Sequence, residues 1–104
     1  MGNTEESVRC VRTLVDTEGA RVAEFEMAPG ARGPRHYHSS LSEHCICLQG
    51  QLDVKIDGSS TRLLQPGDRA EIGPGVGHQV GNPGSEPGRY LVVQCGGAHD
   101  FVEL

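Results

Sequence analysis

Two glycine-bracketed blocks, sixteen residues apart, constrain this chain of 104 residues more than any other feature. The first runs Gly30-x5-His36-x-His38-x4-Glu43-x6-Gly50, and the second Gly67-x7-Gly75-x2-His78-x3-Asn82. They offer three imidazoles and one carboxylate, a donor set suited to a borderline divalent ion such as iron, manganese, nickel, cobalt or zinc. His36 and His38 are two apart, so on an extended strand both rings leave the same face. The four glycines read as turn positions that need positive φ, and Asn82 as a turn residue bonded to its own backbone.

Short β-rich runs alternate with Gly and Pro punctuation along the whole chain. The pattern predicts strands at 8–16, 21–28, 35–38, 43–49, 51–57, 61–64, 69–72, 78–81, 89–95 and 100–103. Asp57-Gly58 followed by two serines predicts a hairpin between 51–57 and 61–64. The polar residues 1–7 read as a flexible N-terminus, and 8–104 as one domain. Fifteen glycines and six prolines, against two Phe, two Tyr and no Trp, fit a turn-rich all-β chain.

Composition also excludes. A formal net charge of −5 without a basic run gives no footprint for nucleic acid. The longest apolar run, 45–48, is far below the ~20 residues that span a bilayer. No secretory signal precedes it, which makes a cytoplasmic protein the expectation. In that setting Cys10, Cys45, Cys47 and Cys95 read as free thiols. No nucleophilic triad, phosphate loop or dinucleotide fingerprint is present.

Face alternation links the runs to the candidate ligands. Leu52, Val54 and Ile56 share one face of their strand, with Asp53, Lys55 and Asp57 on the other. Glu43, Cys45 and Cys47 share a face, so a Glu43 aimed at an ion carries both cysteines inward. The opposite face, with His44, Ile46 and Leu48, is apolar enough to need a cover, either the N-terminal strand or a second subunit. Phe25, Met27, Tyr90, Val92 and Phe101, with Cys45 and Cys47, are the candidate pocket residues. Arg35 and Tyr37 point away from the ion by alternation, Arg32 and Arg89 are candidates for an anionic substrate, and His99 reads as solvated.

The two blocks resemble the paired motifs of the cupin family, G-x5-H-x-H-x3,4-E-x6-G and G-x5-P-x-G-x2-H-x3-N. Residues 30–50 match the first at every fixed position. Residues 67–82 match the second except that Gly73 stands at the proline position, with Pro74 one place later. The departure puts the loop before His78 in question. The resemblance implies an antiparallel β-barrel, the double-stranded β-helix or jelly roll. It implies that His36, His38, Glu43 and His78 hold one divalent transition metal per subunit, and that subunits pair as homodimers through sheet packing or exchange of the N-terminal strand.

Four protein ligands on an octahedral ion leave two positions for water, substrate or dioxygen. The first expectation is therefore a dioxygenase-type oxidoreductase acting on a small organic substrate, such as an enolate or catecholate-like molecule. The second is a non-redox lyase, isomerase or cyclase on a sugar acid or keto compound, for which no extra general base is evident. The third is a non-catalytic binding or sensor module.

Overall fold

Alternating apolar and polar residues can settle only when two sheets lay their apolar faces together, and the chain does this. A computed structural model describes residues 7–104. Ten strands follow in order: β1 (Val8–Asp16), β2 (Ala20–Met27), β3 (His36–Tyr37), β4 (Ser42–Gln49), β5 (Leu52–Ile56), β6 (Arg62–Leu64), β7 (Arg69–Ile72), β8 (His78–Gly81), β9 (Gly88–Cys95) and β10 (Val102–Glu103). They form two five-stranded sheets, β1-β2-β9-β4-β7 and β10-β3-β8-β5-β6, with antiparallel pairing. This is the jelly roll that the motifs implied. Every expected run overlaps an observed strand, with differences of at most two residues at either end. Of the N-terminal segment expected to be flexible, residues 1–6 lie outside those described. Ser7 accepts a backbone hydrogen bond from Ala28 at 2.8 Å.

The interior divides into a packed half and an open half. Cys47, Leu52, Val54, Leu64 and Ala70 are fully buried and fill the packed half. Asp53, expected on the polar face of its strand, is also buried, because Arg32 holds it in a two-pronged ion pair at 2.7 and 2.8 Å. The outer face of the first sheet keeps a half-exposed apolar stripe that includes Leu48, 42% exposed. β1 does not cover this stripe. It pairs edge-on with β2 and widens the sheet.

Glycines mark the points where the chain must reverse. Gly30, Gly50, Gly67 and Gly75 all have positive φ, as their spacing predicted. At Gly50 (φ 75°) a Cβ would also lie 2.6 Å from the Pro87 carbonyl oxygen, so no side chain is tolerated. The displaced proline does not disturb its loop. Pro74 precedes Gly75 (φ 75°), and Val76 N–H donates to Gly73 O at 3.4 Å, the arrangement of a type II turn with proline at its second position. Gly75 N–H then donates to His38 O at 2.7 Å, tying the turn to the other ligand segment.

Asn82 does more than close its own turn. Its amide donates to Met27 O at 3.0 Å and to Glu86 O at 2.9 Å, and its Oδ1 accepts from Gly84 N–H at 2.9 Å. It is 2% exposed, and truncation leaves three backbone groups without its side chain as partner, the buried Met27 carbonyl among them. Asn82→Ala is therefore expected to lower unfolding stability by about 2–4 kcal/mol. Urea denaturation checks this, and a loss below about 0.5 kcal/mol would contradict the bracing role.

Candidate metal centre

The site lies between the sheets in the open half of the barrel. One sheet supplies the imidazoles: His36 from β3, His38 just beyond it, and His78 from β8 directly opposite His36 in the ladder. The other sheet supplies Glu43 from β4, paired in register with Gln94 of β9. The sidedness follows from strand alternation, and the meeting of the four groups follows from how the two sheets face each other.

Every ring is oriented from behind by a carbonyl. His36 Nδ1–H donates to Pro34 O at 2.9 Å and His78 Nδ1–H to Val76 O at 3.0 Å, while His38 Nδ1–H donates to Asp100 O. A carbonyl only accepts, so the neutral rings carry their protons on Nδ1 and turn Nε2 lone pairs inward. Nε2 of His38 and of His78 are both buried and have no hydrogen-bond partner of acceptable geometry. They face the Glu43 carboxylate at 2.9 and 3.3 Å. Acceptors thus converge on acceptors, and the arrangement calls for a cation between them.

The electrostatics agree. Burial would raise the Glu43 carboxyl, but His38, His78 and the Gln94 amide, which donates at 2.8 Å, hold it well below the usual range. The neighbouring Glu43 carboxylate raises His38. Burial lowers His36, favouring the neutral ring that a metal needs. One ligand atom from each of the three histidines lies within 4.8 Å of the others. Two metal–nitrogen bonds of ~2.1 Å span at most ~4.2 Å, so small side-chain adjustments bring the three rings onto one ion. The three histidines could hold a divalent metal, and the Glu43 carboxylate faces two of them.

A cavity of about 260 Å³ opens over the cluster. Phe25, Met27, Tyr90, Val92 and Phe101 all line it. Phe101, 49% exposed, stacks on His36 with centroids 4.2 Å apart, and Phe25 stacks on Tyr90 at 5.7 Å.

Several expectations require correction. Cys45 and Cys47 point inward but do not line the cavity; both are fully buried beneath it. Burial pushes both thiols up, which leaves them as inert packing. Arg32 and Arg89 are engaged elsewhere, Arg32 by Asp53 and Arg89 by Glu24 and Glu26 at 3.2 Å. His99 is exposed, yet it borders the cavity with its ring 6.1 Å from that of His38. The groups that sequence reasoning missed are Gln94 and Arg21. Arg21 has the same parity on β2 as Phe25 and Met27, and extending that alternation two steps would have found it.

Comparison with known proteins places the chain. The model of the cupin domain matches residues 23–94. Mannose-1-phosphate guanylyltransferase of Sinorhizobium fredii is 30% identical over 95 residues, which cover 88% of this chain and 18% of that protein. The chain spans half or less of the length of the curated relatives it matches. The structure of TT1209 from Thermus thermophilus superposes with a TM-score of 0.80 at 25% identity, covering 89% of this chain and 87% of that one. A structure of oxalate oxidase superposes with a TM-score of 0.83 at 24% identity, covering 99% of this chain and 59% of that one. The chain belongs to the cupin family, and its histidine–glutamate cluster sits inside the barrel that defines the fold.

Proposed function

We propose that this protein holds one divalent transition metal per subunit through His36, His38, Glu43 and His78, and uses it as a dioxygenase-type oxidoreductase on a small organic substrate. The observation that carries the reading is the convergence of buried, unpartnered Nε2 atoms on a carboxylate, each ring fixed from behind by a backbone carbonyl. A bound redox-active ion would supply Lewis acidity and exchange of electrons with dioxygen at positions the protein leaves open. Gln94 keeps the Glu43 carboxylate turned inward. Phe25, Met27 and Val92 make an apolar wall that limits water above the cluster, and Phe101 fixes the plane of the His36 ring. Oxalate oxidase, which shares the fold, is by its name an oxidoreductase, and that supports redox chemistry on such a barrel.

The non-redox alternative needs a general base beside the substrate. His99 is near enough, but arginine can only donate, so the Arg21 Nη1 contact at 3.1 Å occupies the His99 Nε2 lone pair. Burial pushes the Tyr90 hydroxyl far up, so it does not serve as a base either. This favours the oxygen-dependent reading. Anaerobically iron-loaded protein is expected to consume dioxygen when given a member of a panel of diketones, flavonols, thiols, catechols and 2-oxo acids. Consumption should be lost in His38→Ala. Absence of substrate-dependent uptake across the panel would count against the oxygenase.

The exposed stripe on the first sheet further supports a homodimer, formed by packing of the outer faces around Leu48. Light scattering is expected to give twice the chain mass of 11.1 kDa. A species at the chain mass itself would rule this out.

A further inference from the structure

The metal ligands do not account for all the polar groups that line the cavity. One wall is apolar, formed by Phe25, Met27 and Val92. Arg21 stands on β2 opposite Gln94, in the same cross-strand row as Glu43 and so on the ligands' side of that wall. Among the described residues no carboxylate lies within ion-pair distance of Arg21, whereas Arg9, Arg12, Arg32, Arg35 and Arg89 each have one. Its Nη1 is spent on His99, which steadies the group at the mouth. Its Nε is buried with no partner. The edge formed by Nε and Nη2 is the side of a guanidinium that matches a carboxylate with two parallel bonds. A buried charged donor without an acceptor is a costly arrangement.

We infer that Arg21 is the anion anchor of this cavity, and that the ligand is a small carboxylic acid with an apolar body. Its carboxylate meets the Nε/Nη2 edge of Arg21 on the side of the cavity that carries His36 and His38, and its body lies against Phe25, Met27 and Val92. A volume of about 260 Å³ limits the body to the size of one aryl ring or a branched alkyl group. His99 is a positioning residue, holding Nη1 so that the other edge faces inward. The inference rests on the metal-centre reading only for what lies beside the acid's carboxylate.

Isothermal titration of cobalt-loaded and metal-free protein with phenylacetate, phenylpyruvate and 4-methylpentanoate, each beside its primary amide, tests this. At least one acid is expected to bind about tenfold or more tightly than its amide, the gain typical of hydrogen bonds to a charged group. Arg21→Gln should erase that difference, and Arg21→Lys should retain part of it, which shows that a loss reflects charge rather than misfolding. His99→Ala should narrow the difference without abolishing it. Equal binding of acids and amides, no binding of any acid, or an unchanged preference in Arg21→Gln would overturn the anchor. So would tighter binding of inorganic phosphate than of every acid tested. Cobalt uptake without acid preference removes the anchor alone. Acid preference that depends on Arg21 in protein unable to take up cobalt supports the anchor and removes the metal reading.

Discussion

Two buried imidazole nitrogens face a buried carboxylate at about hydrogen-bond distance, and all are acceptors once the rings are protonated on Nδ1. Lone pairs set against lone pairs in a low-dielectric interior repel, and burying the carboxylate charge alone is unfavourable. A proton on one ring would relieve one contact. A divalent ion would relieve all of them and draw in His36 as well. The remainder of the open half of the barrel is organised around that requirement.

The jelly roll meets it by division of labour. One sheet presents the three rings and braces each with a carbonyl, from Pro34, Val76 and Asp100. The other presents Glu43 and holds it with Gln94. Such bracing fixes tautomer and orientation, and partners of this kind matter for metal affinity nearly as much as the ligands do. The packed half, with Leu52, Val54 and Leu64 fully buried, fixes the separation of the sheets. The turn at Pro74-Gly75 bonds directly to the His38 carbonyl, so the two ligand segments are positioned together.

Much of this was legible in the sequence because the signals are local. Period-two alternation located all ten strands, the motif glycines located four of the positive-φ turns, and the i, i+2 histidine pair gave a shared face. The errors arose where the answer depends on which strands become neighbours. Parity correctly sent Cys45 and Cys47 inward, but only the packing shows that they lie below the cavity rather than around it. Arg32 and Arg89 looked available because their acidic partners lie on strands distant in sequence: Asp53 for Arg32, and Glu24 and Glu26 for Arg89. His99 sits in a segment without alternation, and its place beside His38 follows from the return of β10 to β3.

The central claim is that one ion is held by three imidazoles and one carboxylate, with no sulfur. The most direct test is metal analysis joined to X-ray absorption on protein loaded anaerobically with iron or cobalt, beside a His36→Ala/His38→Ala variant. The account predicts about one ion per chain, scattering from imidazole nitrogens and oxygen, and loss of the ion in the variant. An ion retained by the variant, or one bound through cysteine sulfur, would contradict it.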